Sequence, residues 1–323
     1  MAFEQLSGDT ADRDRRATAS LEGLSAGDAY GNQFFDLDNW GGFPCPGRLR
    51  QHPHYLPGHV DAFVKGAIVP EGQWPWTDDS EMAFGLVSEL RRDESLDPDA
   101  LAAVWARHRQ LPRDYGKSAL RILDGVKRGD NWRGLSRAAF GGSGSLGNGS
   151  AMRIAPLGAW FADDLDAVIS KSRLVSDITH SHVDGIAGGV ATALAAALSA
   201  RGITDPGEFL SGVLEGTPEG EVHNGIQEAA SHPAGTDPVE VASHLGNGRY
   251  ILATDTVPLC LWVAAHNLDD YPRAVRTVVS LGGDLDTTAA IVGGIVSAGH
   301  PSTPIPETWL AAREPYPEWF SAD

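Results

Sequence analysis

The feature that most constrains this chain is the period of its apolar residues, which recur at three- and four-residue spacings and form no convincing series of alternating strands. Ala17, Leu21, Leu24 and Asp28 fall on one helical face, which seats a carboxylate on an apolar stripe. Met82, Ala83, Leu86, Val87 and Leu90 repeat the pattern behind Thr77, Asp78, Asp79 and Glu81, residue types that open a helix. Asp97 and Pro98 open another, running through Leu101, Val104 and Trp105. The same period predicts helices over residues 118–126, 165–176, 184–200, 206–214, 239–245, 256–266, 271–280 and 287–298. Residues 36–73, rich in Gly, Pro and Trp, read as a long irregular segment. Small residues such as Gly188, Gly189, Ala191, Ala289, Ala290, Gly293 and Gly294 let helix axes approach closely. The expectation is an all-α fold: a polar segment over residues 1–16, then a single compact multi-helix domain over residues 17–323.

Composition narrows the function. The chain has 323 residues, 42% hydrophobic and 21% charged, enough to bury a sizeable core. With 25 basic against 43 acidic residues, the net charge of -18 repels a phosphate backbone, so direct nucleic-acid binding is not expected. A small polyanion remains compatible where bound cations reverse the local field. Two cysteines, Cys45 and Cys260, make neither a disulfide framework nor a CxxC pair and point to a reducing, cytoplasmic compartment. Residues 1–20 lack the apolar core of a signal peptide. The Ala-rich run at 186–200 falls short of the roughly 20 residues of a membrane span, and reads as a buried helix with no membrane partner.

Two oxygen-rich clusters carry the chemistry: Thr77-Asp78-Asp79 and Asp284-Leu285-Asp286-Thr287, each between a Gly- or Pro-containing loop and a helix. Hard divalent cations take such oxygens, and two of them need several carboxylates at short range. Asp and Thr at a helix start are equally what N-capping prefers, and for either cluster alone capping is the commoner meaning. No HExxH or Cys/His set suggests zinc. Asp28 reads as structural, bonded to backbone groups of a neighbouring helix. Trp40, Trp74 and Trp76 read as packing, and the GxGxxG match at residues 142–147, with no strand before it, as chance.

Gly27-Asp28-Ala29-Tyr30-Gly31, Trp76-Thr77-Asp78-Asp79-Ser80, Gly147-Asn148-Gly149-Ser150-Ala151-Met152-Arg153 and Gly282-Gly283-Asp284-Leu285-Asp286-Thr287-Thr288, in that order, resemble the ADP-ribosylglycohydrolase family. The resemblance implies an all-α fold with a dinuclear site for two divalent ions, Mg²⁺ or Mn²⁺. It also implies cleavage at the distal ribose of ADP-ribose carried by a protein or a small molecule. Carried over, Thr77, Asp78 and Asp79 would bind one ion and Asp284, Asp286 and Thr287 the other, with Asp286 the best candidate to bridge. Gly144, Ser145, Gly147, Asn148 and Gly149 would line the ADP-ribose cleft with backbone N–H groups aimed at the diphosphate, and His180 would contact the ligand.

In one position the chain departs from the pattern. Where similar proteins carry a gating glutamate, the seventh residue after Asp28 is Phe35, and the nearest carboxylates are Asp36 and Asp38. Relatives acting on ADP-ribosylarginine resemble the family with this acid a few residues later, so Asp38 or Asp36 is the expected substitute. The catalytic candidates are therefore Asp78, Asp79, Asp38 and Asp36, one of them activating the water that attacks the anomeric carbon. The alternatives are a glycosidase of free nucleotide or nucleoside metabolites, a catalytically silent ADP-ribose sensor and a helical phosphohydrolase.

Overall fold

Side-chain caps and early prolines explain where many helices begin. Asp9, Thr77, Asp97, Asn131, Asp164, Asp205, Asp237 and Asp270 each accept an N–H from the turn that follows. Proline, whose missing N–H costs nothing there, stands in the first turn after Asp97, Asp205, Asp237 and Asp270.

The computed structural model describes residues 6–43, 59–299 and 304–321. Seventeen α-helices occur among the described residues. The first nine are α1 (Thr10–Asn32), α2 (His59–Gly66), α3 (Asp78–Arg92), α4 (Pro98–His108), α5 (Lys117–Lys127), α6 (Trp132–Ala138), α7 (Ala155–Trp160), α8 (Leu165–Asp177) and α9 (Val183–Ala200). The others are α10 (Pro206–Gly216), α11 (Glu221–Ser231), α12 (Pro238–Leu245), α13 (Ala253–Ala265), α14 (Tyr271–Ser280), α15 (Leu285–Gly299), α16 (Glu307–Ala312) and α17 (Glu318–Ser321). The described residues contain no strand; two isolated bridges join Trp74 to Arg313 and Gly147 to Leu252.

The all-α expectation holds, and the centre is the crossing of α1 and α15, held at short range by glycine. A Cβ on Gly23 would lie 2.4 Å from the carbonyl oxygen of Gly293, one on Gly27 2.3 Å from that of Ala289, and one on Gly31 2.3 Å from that of Leu285. One glycine per turn of α1 therefore sets the axial distance, and the last of them touches the residue before Asp286. Helix α9, 18 residues long and apolar enough to cross a membrane, is mostly buried between α7, α8, α10, α13 and α15. Helix α7 is again admitted by a glycine: a Cβ on its Gly158 would fall 1.9 Å from the carbonyl oxygen of Ala193.

Some expectations needed correction. Within the segment read as irregular, α2 forms because His59, Val60 and Phe63 share a buried face, on which Phe34 and Trp40 pack against Phe63 and Phe43 against His59. The Pro- and Gly-rich residues 44–58 of that segment, Cys45 among them, lie outside the described residues. Helix α11, not anticipated, buries Val222, Ile226 and Ala229, a short stripe at helical spacing. Residues 10–16 of the polar segment form the first turns of α1, where Arg13 and Arg16 pair with Asp163.

Candidate active site

The site begins with Asp28, fully buried on α1. It accepts the N–H groups of Thr77 at 2.9 Å and Ser80 at 3.2 Å and the hydroxyls of both residues. A carboxylate of α1 thus caps α3 from outside, in accord with its structural reading. Burial raises its pKa to about 6 against the pull of those bonds. Thr77 is also an N-cap: its Oγ1 receives the Asp79 N–H at 3.4 Å and donates to Asp28 at 3.0 Å. A hydroxyl has one donor and two acceptor sites, so one lone pair of Thr77 stays available.

The late cluster is set by a turn. Gly282 and Gly283 take φ of +73° and +85°, the left-handed region that glycine enters without strain, and release the chain into α15. The Asp284 N–H then reaches the Asn247 carbonyl at 3.2 Å, and Asp286 Oδ1 receives the Thr287 N–H at 2.8 Å.

The fold brings the two clusters together. Burial and then the charges of Asp286, Asp28, Asp78 and Asp284 hold the Asp79 carboxyl well above the usual carboxylate range. Asp78 is raised by burial, Asp28 and Asp284, and Asp286 by burial, Asp284, Asp28 and Asp78. Asp284 is raised by burial but relieved by hydrogen bonds from Asn148, Asp286 and Thr287.

One oxygen of this group, Asp79 Oδ2, is buried with no hydrogen-bond partner. The counter-charge is the fully buried Arg153, whose pKa burial lowers to about 9 while Asp78 and Asp79 pull it back up. Its guanidinium stacks 4.2 Å from the Trp105 ring and donates to Thr179 Oγ1 at 2.7 Å. Five carboxylates against one guanidinium is a costly arrangement unless protons or cations join it. The donors are all oxygen, so the residues fit hard divalent ions such as Mg²⁺ or Mn²⁺.

Beside the cluster runs the loop leading to Arg153. Asn148 Nδ2 donates to Asp284 Oδ2 at 2.7 Å and to Thr256 Oγ1 at 3.1 Å, joining loop, α13 and late cluster. Three of the loop amides expected to face a diphosphate are used internally: Gly144 N–H bonds Ala139 O at 3.0 Å, Gly147 N–H bonds Ser145 Oγ at 3.2 Å, and Asn148 N–H bonds Ile251 O at 3.2 Å. A nest of all five amides is therefore not what the loop presents. Ser145 instead acts through its side chain and its carbonyl, which takes the His182 N–H at 3.3 Å.

His180 lies against this loop: a Cβ on Gly149 would sit 3.0 Å from its Nε2, and one on Gly147 3.3 Å. Its Nδ1 is 2.7 Å from Thr179 Oγ1, which also accepts from Arg153, and the tautomer of the ring sets which of histidine and threonine donates. Burial and the nearby Arg153 lower its pKa to about 3, so His180 is neutral.

Asp36 and Asp38 are not buried with the other aspartates. Both are exposed on a short 3-10 turn, where Asp36 accepts the Asp38 N–H at 3.1 Å. Phe35 is exposed beside them. Arg153, Thr256 and the Asn148 side chain were not singled out for roles in the sequence. Arg153 lay inside a noted motif, but only tertiary contact reveals that its charge serves the aspartates.

Comparison with known proteins gives the family and agrees with the all-α fold. A family model described as ADP-ribosylglycohydrolase matches residues 9–322. The ADP-ribosylhydrolase ARH3 of Mus musculus is 29% identical over 278 residues, covering 75% of this chain and 74% of that protein. The ADP-ribosylarginine hydrolase Tri1 of Pseudomonas putida is 25% identical over 305 residues, covering 91% and 73%. A solved structure titled as an ADP-ribosylglycohydrolase-related protein complex shares the fold, with a TM-score of 0.62, 23% identity and 94% of both chains covered.

Proposed function

This chain belongs to the ADP-ribosylglycohydrolase family, and from that premise we propose that it hydrolyses the glycosidic bond joining ADP-ribose to an acceptor, with two divalent cations as cofactor. The observation that carries the reading is the buried meeting of Asp78, Asp79, Asp284 and Asp286 around an oxygen of Asp79 that has no partner. Thr77, Asp78 and Asp79 would hold one ion and Asp284, Asp286 and Thr287 the other. Asp286 is the residue suited to touch both, since its charge acts on Asp79 and feels Asp284. When bound, such ions would supply Lewis acidity and lower the pKa of a coordinated water below that of bulk water.

The chain's own residues do the rest. Cleavage at the anomeric carbon passes through an oxocarbenium-like state, and a field of buried carboxylates favours the positive charge that develops on the ribose. Asp28 and Asp284 spend their oxygens on hydrogen bonds, whereas Asp79 keeps one vacant, which makes Asp79 the candidate to take the proton of the attacking water. His180 offers a neutral imidazole whose Nε2 lies beside the Gly147–Gly149 turn. Phe140 and Ile251 are exposed, non-glycine residues held at φ of +52° and +57°. Ile251 touches the loop through its carbonyl, which takes the Asn148 N–H. We assign the pair to the apolar wall for the adenine.

The test is turnover of arginine- and serine-linked ADP-ribosyl peptides and of small ADP-ribosyl compounds by the wild type and Asp286→Ala, in Mg²⁺, in Mn²⁺ and in chelator, with products identified by mass. Free ADP-ribose from the wild type alone, lost in chelator, supports the reading, and the preferred substrate names the acceptor. Adenosine monophosphate as product, binding without turnover, or equal activity of both proteins in chelator overturns it.

A further inference from the structure

On the side formed by α11 and α12, three potential metal ligands converge. Glu228 lies in the last turn of α11, and His232, its C-cap, follows one helical turn later. His244 comes from the last turn of α12. One ligand atom from each lies within 4.8 Å of the other two. His244 Nδ1 is 3.5 Å from Glu228 Oε1, and the two imidazoles meet edge to face at 5.3 Å. His232 Nε2 is closed off from solvent and has no hydrogen-bond partner, a buried polar atom that calls for an explanation. The backbone of His232 is fixed, because its carbonyl takes the Trp262 Nε1–H of α13 at 2.9 Å.

We propose that Glu228, His232 and His244 form a second metal site, separate from the aspartate cluster, for a borderline transition ion of the Zn²⁺ class. Two imidazoles and one carboxylate are the donor set such ions prefer, whereas Mg²⁺ and Ca²⁺ take oxygen donors. Zinc–nitrogen bonds of about 2.0–2.1 Å need the three ligand atoms to close in on a common centre. Glu228 and His244 are about half exposed, so their rotamers can supply that movement around the anchored His232. Three protein ligands leave a fourth position to water or to an outside group. The ion ties α11 to α12 immediately before residues 246–252. That loop binds Asp284 through the Asn247 carbonyl and Asn148 through the Ile251 carbonyl.

The experiment is titration of the metal-stripped full chain with Zn²⁺ by calorimetry and with Co²⁺ by its visible absorption, both in excess Mg²⁺. The variants are His244→Ala, His232→Ala, Glu228→Gln and, as control, Asp286→Ala. We expect the wild type to bind one equivalent more than His244→Ala and His232→Ala, Asp286→Ala to retain that equivalent, and Glu228→Gln to bind it at least tenfold more weakly. Zn²⁺ should also raise the Tm of the wild type and not that of His244→Ala. Equal stoichiometry and affinity in the wild type, His244→Ala and Glu228→Gln overturns the proposal. His244 and Glu228 are both surface residues, so the comparison survives if His232→Ala fails to fold.

Discussion

Asn148 Nδ2 and Asp284 Oδ2 are 2.7 Å apart, so the Gly-Asn-Gly loop and the late aspartates are one hydrogen-bonded unit. Asn148→Ala frees an Asp284 oxygen and releases the loop. We expect activity and apparent Mg²⁺ affinity to fall by about 10–100-fold, the usual loss when an outer-shell partner is removed. Activity titrated against Mg²⁺ checks this, and an unchanged midpoint removes the coupling.

Stability of the metal-free protein should fall as pH rises. Asp28 has a folded pKa of about 6, and Asp78, Asp79 and Asp286 are also raised. Their unfolded value is about 3.9, so between the two values the native state binds more protons than the unfolded one. Their contribution is therefore fully present below pH of about 4 and is lost as pH climbs through about 6 and beyond. Urea denaturation in chelator across this range measures it, and saturating Mg²⁺ should flatten the slope.

Gly27→Ala and Gly31→Ala place a methyl group 2.3 Å from a carbonyl oxygen of α15. The helices must separate, and overpacking of this kind costs about 1–3 kcal/mol. Because Gly31 abuts Leu285 and Asp286, its variant should lose activity as well as stability, whereas Gly27→Ala should chiefly lose stability. Denaturation midpoints and turnover of the two proteins distinguish the effects.

Replacing Arg153 by Met preserves bulk over Trp105 but removes the buried positive charge. The aspartates then lose their buried counter-charge, and we expect a loss of stability in chelator, partly restored by Mg²⁺ in thermal denaturation. No loss in chelator would show that Arg153 does not balance the aspartates.

His180, with a pKa of about 3, is neutral throughout the range from pH 5 to pH 8. His180→Gln should weaken ADP-ribose binding and leave the limbs of the pH–rate profile in place. A limb that vanishes in this variant would reassign His180 as an acid or base.

Much of this molecule was legible in its residues. The period of Met82, Ala83, Leu86, Val87 and Leu90 announced α3, and Thr77 announced its cap, because both signals are local and need only a few neighbours. Four motifs read in order pointed to the family, and both aspartate clusters were visible as oxygen donors at helix starts. Helix α11 escaped because Val222, Ile226 and Ala229 make too short a stripe, and α2 because the surrounding Gly and Pro masked a single amphipathic turn and a half.

Local pattern thus settled the all-α class, the likeness to a family and the pool of candidate ligands. It could not decide which use each aspartate has. Asp28 and Asp79 are the same residue type near helices, yet one is saturated by four donors and the other retains a bare oxygen. That difference arises only when glycines let α1 meet α15 at backbone distance and carry Asp286 to the start of α3. Desolvation and mutual repulsion of charges depend on distances in space, and those exist only once the helices have packed.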